Sequence, residues 1–221
     1  MSQASVDWDK PKKDYYRILG GIAMKALTAN GFHAEYVETR EDAVREVLSL
    51  VPEGASVGVP GSVTVRELGL IEKLEEKGCR IFHHWDPALG AEERQQRFAE
   101  EIESDVYLTS SNAVTLDGKL VNIDGTGNRV AGMAWAKNRI CLVVGINKVC
   151  RDVESALQRI RDVATPMNNL RLGLVHLPCV QAGHCVDCKV PQRSCRVVTV
   201  MERAPFGRDA HVILVGESLG Y

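Results

Sequence analysis

The sequence predicts an α/β protein built on an open, mostly parallel sheet, with a cysteine-rich lobe near its C-terminal end. Three observations carry this. Segments of strand and helix patterning alternate along most of the chain. The run Ile140–Val144 is apolar at every position, as in a strand covered on both faces. Four cysteines, Cys179, Cys185, Cys188 and Cys195, crowd into seventeen residues.

The elements follow in order. Lys12 to Asn30 reads as a first helix: Tyr16, Leu19, Ala23, Ala26 and Leu27 share one face, and Gly31 supplies the stop. Phe32–Val37 is a short strand. Arg40–Leu50 is an amphipathic helix with Ala43, Val44, Val47 and Leu48 inward. Strand Ser56–Val59, turn Pro60-Gly61-Ser62 and helix Thr64–Lys77, stopped at Gly78, form one unit, and Cys79–Phe82 is the next strand. Ala91–Ser104 is charged, with Phe98 and Ile102 as its main apolar anchors, which predicts a solvated surface helix. Asp105–Thr109 is a strand. Ala113–Thr115 and Lys119–Ile123 flank Asp117-Gly118, a strong hairpin signal. A glycine-rich turn, Asp124 to Arg129, leads into a short helix ending near Ala136. After the Ile140–Val144 strand, Asp152 caps a helix with Val153, Ala156, Leu157, Ile160, Val163 and Ala164 at helical spacing, ended by Pro166. Leu172–Leu177, Val197–Met201 and Val212–Val215 are short strands around the cysteine segment. The chain reads as one domain, 1–221, with residues 178–196 as a cysteine-rich metal-binding segment within it.

Composition narrows the function classes. With 221 residues the chain is long enough to bury a core without disulfides. A formal charge of −2 argues against a general nucleic-acid binder. No apolar run approaches the roughly 18 residues of a membrane span. The N-terminal MSQASVDWDKPKKDYYR has no apolar stretch after its charges, so it does not read as a secretory signal and the protein is expected to be cytoplasmic. The seven cysteines there are thiols or metal ligands and not a disulfide framework. Cys79, Cys141 and Cys150 fall in or beside strands and read as small core residues.

The C-terminal cysteines are spaced C-x5-C-x2-C-x6-C, and the central C-x2-C is common to zinc knuckles and iron–sulfur loops. Pro178, Gly183 and Pro191 supply turns. Four thiolates around zinc, or around a 4Fe–4S cluster, leave excess negative charge, which Lys189, Arg193, Arg196 and His184 are near enough to offset. Thiolate suits both metals, so ligand softness leaves the choice open. The bland reading is four thiols with no metal.

Three other segments carry candidate chemistry. The turn at Gly61, with Ser62, Thr64 and Arg66, follows a strand and opens a helix, where free backbone N–H groups attract anions. Its bland reading is a capping box between Thr64 and Glu67. In Asn122 to Arg129, Gly125 and Gly127 allow close backbone approach, Asp124 is a base or hydroxyl acceptor, and Arg129 is a two-pronged clamp for carboxylate or phosphate. Here the alternative is a turn in which Asp124 and Asn128 cap their own backbone. Gly145 to Lys148 lies at the C-terminal end of a central strand, where ligands of open α/β sheets gather. Lys148 would complete an anion site with Arg129 and the Gly61 turn, or be a solvated loop lysine. The histidines give less. His83-His84-Trp85 follows a strand and is placed to line a cleft, yet adjacent histidines on a strand face opposite ways, and His176, His184 and His211 have no partner at ligand spacing.

Together SNAVTLDGKLVNIDGTGNRVAGM, VVGINKV, the PC…GHCVDC…C segment and VGESLGY resemble the LUD (lactate utilization) domain family, to which lactate utilization protein C belongs. The resemblance runs from about Tyr15 to Tyr221. It implies a fold like that of the sugar-phosphate isomerase and CoA-transferase group. It also implies a link to oxidation of lactate, or a similar hydroxy acid, by an iron–sulfur system with partner subunits. On that basis Asn112, Asn122, Asp124, Gly125, Gly127, Asn128, Arg129, Asn147 and Lys148 form the expected functional surface. The chain lacks the ferredoxin-type cysteine runs of the B-type protein, and it carries a C-terminal cysteine set that not every member has. The alternative is a stand-alone enzyme or binding domain for a small carboxylate or phosphate, with zinc fixing the lobe. A homodimer is compatible with either.

Overall fold

The computed structural model describes residues Asp7–Tyr221. The reading of the N-terminal stretch as no export signal rests partly on residues 1–6, outside the described residues. Six strands form one sheet, all neighbours parallel: β1 (His33–Val37), β2 (Ser56–Gly58), β3 (Arg80–Phe82), β4 (Val106–Thr109), β7 (Arg139–Gly145) and β10 (Asp209–Val215). Their spatial order is β1-β10-β7-β4-β2-β3. The small second sheet, in order β8-β5-β6-β9, holds the predicted hairpin of β5 (Ala113–Thr115) and β6 (Leu120–Asp124). The short β8 (Val149–Cys150) runs parallel to β5, and β9 (Val197–Met201) antiparallel to β6.

The strand β7 explains the layering. Cys141 and Val143 point into one core and Ile140, Leu142 and Val144 into the other, the period-2 alternation of a strand with two buried faces. The first core is closed by α2 (Arg40–Leu50), α3 (Val63–Glu67) and α4 (Leu70–Glu76), through Val47, Val65, Leu70 and Leu74. The second is closed by α1 (Lys10–Ala29) and α6 (Asn128–Trp135), through Ala23, Leu27 and Met133. Thr39 caps α2 by accepting the Asp42 N–H, and Asp42 answers back to the Thr39 N–H, so this helix starts where its sequence says.

Several expectations change. The helix predicted over Thr64–Lys77 is two helices, broken at Gly69, whose φ of 61° is left-handed. The N-cap is Ser62, whose Oγ accepts the Val65 N–H at 3.2 Å, so Thr64 and Glu67 form no capping box. The helix α5 (Ala91–Glu103) is not merely a solvated surface element. It crosses β2 so closely that a Cβ on Gly58 would stand 2.0 Å from the Glu101 carbonyl oxygen, and Glu101 itself is buried. Pro166 does not end its helix. The run continues from α7 (Val153–Arg159) through a π-helical turn (Ile160–Ala164) into α8 (Thr165–Arg171), and Pro166 sits in the first turn of α8. The wider turn before it accommodates a ring that lacks an N–H. Leu172–Leu177 is no strand: Gly173 has φ of 72°, and Leu172 and Val175 are exposed. Pro178 starts a helix, α9 (Pro178–Ala182), at a position where its missing N–H costs nothing. Among the described residues no helix is long and apolar enough to cross a membrane.

Candidate functional site

A cleft of about 650 Å³ opens at the C-terminal edge of the six-stranded sheet. Its floor is made by the residues that follow β2 (Pro60–Ser62), β4 (Ser110–Asn112) and β7 (Lys148). The chain leaves β4 toward β7 on one side, while β2 and β3 lie on the other, so the cleft sits where the strand order reverses direction. The Asp124–Arg129 turn, the α7–α8 run and the His84-Trp85 corner form its walls.

Lys148 is a strongly perturbed group of the cleft. It ends a 3₁₀ turn, Ile146–Lys148, that leads its side chain under the cleft, and it is buried. Its Nζ donates to Thr64 Oγ1 at 2.8 Å and to Ser110 Oγ at 3.1 Å. Burial, with the positive charges of Arg159 and Arg129, brings its pKa down to about 7. This excludes the solvated-lysine reading. Gly220 packs against the same spot: a Cβ there would stand 2.7 Å from Thr64 Oγ1. The Gly220 N–H donates to Glu67 Oε2 at 2.6 Å, which is where that carboxylate goes in place of a capping box.

Arg66, Arg94 and Arg171 also line the cleft. Among the described residues none of these, nor Lys148, has a carboxylate within ion-pair distance, 4.0 Å. Arg66 lies 3.9 Å over the Trp85 ring, and burial together with Arg171 holds its pKa below the ordinary value. Asp124 is the carboxylate lining this space, and it faces Arg129 at 3.4 Å. A chain of net charge −2 thus presents a locally cationic cleft.

Arg129 reaches the cleft, but its guanidinium is engaged by the protein. Nη1 donates to Asn122 Oδ1 at 2.6 Å, and Nη2 donates to Asn112 Oδ1 and to the Ile123 carbonyl, both at 3.0 Å. The two-pronged clamp expected of it therefore does not form; the group fastens the floor of the cleft. Asp124 Oδ1 accepts the Gly127 N–H at 3.0 Å, closing the turn as its bland reading had it. Gly61, Ser62, Thr64, Arg66, Asn112, Asp124, Gly125, Asn128, Arg129 and Lys148 are brought together around one space. Asn122, Gly127 and Asn147 do not line it. Asn122 is buried beneath, bonded to Arg129, Ser111 and the Asn112 N–H. Gly127, at φ of 92°, starts α6, and Asn147 Oδ1 accepts the Leu219 N–H at 3.1 Å.

Sequence reasoning placed His84 and Trp85 at a cleft, where they are, but missed Ser110, Arg94, Arg171 and the pairing of His84 with Glu101. His84 lines the cleft, and its Nδ1 stands 2.7 Å from Glu101 Oε1. Burial raises the pKa of Glu101, and His84 opposes that rise. The signal for Glu101 was the sparse apolar face of α5, which leaves a glutamate to be buried.

Cys179, Cys185, Cys188 and Cys195 line one smaller cavity, with Arg161 and Arg193 beside them. Asn169 Nδ2 lies 3.4 Å from Cys179 Sγ, and the Asp187 N–H donates to Cys185 Sγ at 3.4 Å, contacts of the kind that support metal-bound thiolates. Four thiols in one cavity with cations at its rim are a fitting donor set for zinc or an iron–sulfur cluster. Among the described residues, the one set of three or more His, Cys, Asp or Glu ligand atoms that all lie within 4.8 Å of one another is His33, Asp209 and His211. Thr165, Ser194 and Cys195 line both the cysteine cavity and the cationic cleft, so the two are neighbours sharing a wall.

Among curated proteins no sequence matches this chain. A crystal structure of a DUF162 family protein from Deinococcus radiodurans is similar to it, with a TM-score of 0.53 at 12% identity, over 90% of this chain and 98% of that one. At that identity the likeness shows the fold. The family model described as LUD domain matches residues 22–215, which include every strand and the whole cleft floor, and the chain belongs to the LUD domain family.

Proposed function

We propose that the cleft binds a small carboxylate metabolite, a 2-hydroxy acid such as lactate or its keto product, beside a metal centre on the four cysteines. The chain then serves as a subunit or accessory of an iron–sulfur system that oxidises this acid. The observation that carries the reading is the shared wall, Thr165, Ser194 and Cys195, between a cleft with unpaired cations and a cavity lined by thiols.

The side chains divide the work. Arg66 and Arg171 hold the carboxylate. Lys148, with a pKa of about 7, holds or moves the proton of the adjacent hydroxyl. Trp85 fixes Arg66 by stacking and covers that end of the cleft. Cys179, Cys185, Cys188 and Cys195 would hold the metal centre. A 4Fe–4S cluster supplies one-electron transfer when bound. Oxidising a hydroxy acid to a keto acid releases two electrons and two protons, which calls for the partner subunits.

A second reading, a binding domain whose zinc only fixes the lobe, draws on the small size of the cysteine cavity, about 20 Å³, which suits a single ion. Anaerobic purification followed by iron, sulfide and zinc analysis separates the two. The first reading expects a brown protein with iron and sulfide in near-integral ratio, whose reduced-state EPR signal changes on adding lactate or pyruvate. A colourless, zinc-loaded protein sinks it in favour of the second. If neither lactate, pyruvate nor phosphate raises the melting temperature, the anion site itself is refuted.

A further inference from the structure

We propose that His33, Asp209 and His211 form a separate site for zinc or a similar borderline divalent cation, at the edge of the sheet opposite the cleft. It rests on no part of the reading of the cleft.

The fold brings the three residues together. Asp209 and His211 are two apart on β10, so their side chains stand on the same face. The parallel register sets His33 of β1 directly beside His211. All three lie at the N-terminal ends of their strands, whereas the cleft opens at the C-terminal ends. Sequence spacing hides the site, since His33 and His211 are 178 positions apart.

The geometry is that of a ligand set. His211 Nε2 stands 2.7 Å from Asp209 Oδ1, and His33 Nε2 stands 3.6 Å from the same oxygen. The imidazole rings stack with centroids 4.8 Å apart, and both Nε2 atoms approach the same Asp209 oxygen. Two imidazoles and a carboxylate are donors that suit zinc, copper, nickel or iron. Three protein ligands, with water completing the shell, match an open zinc site. A fourth side chain holds the carboxylate in place. Arg139, on the neighbouring β7, donates Nε to Asp209 Oδ2 at 2.7 Å and leaves Oδ1 for the metal. Such outer partners orient metal-binding carboxylates. The His33 side chain is 68% exposed and that of His211 17%, so the site is anchored on the sheet and open to solvent on one side. The bland alternative is an Asp209–His211 ion pair with a stacked neighbour and no metal.

Zinc uptake tests the assignment. The protein, with its cysteine centre as isolated, is titrated with zinc chloride by calorimetry in a non-chelating buffer. One equivalent beyond that held by the cysteine segment is expected, with a rise in melting temperature that grows with free zinc. The same equivalent persists in Cys188→Ser, which disables the cysteine centre. It is weakened by at least roughly tenfold in His33→Ala and in His211→Ala, no less than the loss of an outer-shell partner costs. His33→Ala removes an exposed side chain and carries the test should His211→Ala not fold. Absence of this equivalent in the wild type overturns the proposal, as does zinc binding by His33→Ala as tight as that of the wild type.

Discussion

Replacing Lys148 by methionine probes the cleft most directly. The lysine is buried, and its hydrogen bonds go to two neutral hydroxyls, those of Thr64 and Ser110. Its pKa falls from the model-peptide 10.5 to about 7, a shift equivalent to roughly 5 kcal/mol at 1.36 kcal/mol per unit. The sign is fixed by proton counting. Between about pH 7 and 10.5 the unfolded chain binds the proton and the folded one does not, so this group makes the wild type more stable as pH rises. Below pH 7 both states are protonated and the full penalty of the buried cation is present. Methionine fills similar space without charge. It leaves the two hydroxyls without a donor, at about 1–3 kcal/mol each, so the absolute gain is smaller than 5 kcal/mol. The pH dependence of the difference is free of that offset. Urea unfolding of wild type and Lys148→Met at pH 6, 7, 8 and 9 measures it, since other titrating groups cancel. The advantage of the variant is expected to be greatest at pH 6 and to shrink by about 2 kcal/mol between pH 7 and pH 9. Parallel stability curves across that range would refute the claim that Lys148 is a buried cation of depressed pKa.

Other consequences are simpler to check. Arg129→Ala should destabilise the protein by about 3 kcal/mol, because Asn112, Asn122 and the Ile123 carbonyl lose their donor, and Arg129→Lys should not rescue it; wild-type denaturant midpoints would contradict this. Gly58→Ala should cost at least about 1–3 kcal/mol, since its Cβ would collide with the Glu101 backbone, and a thermal melt within a degree of wild type would count against the packing of α5 on β2. Arg66→Ala should weaken anion binding by about tenfold and alter the fluorescence of Trp85, with no loss of fold; unchanged lactate or phosphate affinity would remove Arg66 from the site.

How much of this was legible in the sequence differs by element. The β7 strand and the β5–β6 hairpin were readable because their signals are local: an unbroken apolar run and an Asp-Gly turn. The α2 helix was readable because its cap and its apolar face agree. Pro166 misled because a π turn, which no short pattern announces, lets a helix run on through a proline. Leu172–Leu177 misled because apolar residues can remain on the surface when no neighbour pairs with them. At the cleft, residue types in the two glycine-rich turns pointed to the right region. They could not say whether Arg129 faces a ligand or its own chain, since that depends on Asn112, ten positions before Asn122 and held beside it by the hairpin. Arg171 and the pairing of His84 with Glu101 were invisible for the same reason, their partners arriving from other elements, whereas the place of His84 and Trp85 at a cleft was legible from the strand before them.

The wall formed by Thr165, Ser194 and Cys195 has a thermodynamic consequence. Ser194 Oγ donates to Asn169 Oδ1 at 2.6 Å, and Cys195 Sγ lies 3.5 Å from Thr165 Oγ1, so whatever orders the thiols also sets the side of the cleft. If the proposed metal and anion both bind, any linkage across this wall is reciprocal: if metal loading tightens anion binding by some factor, the anion tightens metal retention by the same factor. On the proposed reading, protein prepared without metal at the four cysteines would then misreport its ligand affinity. Conversely, under positive linkage the anion complex would give up a metal bound at the four cysteines to a chelator more reluctantly than the free protein does.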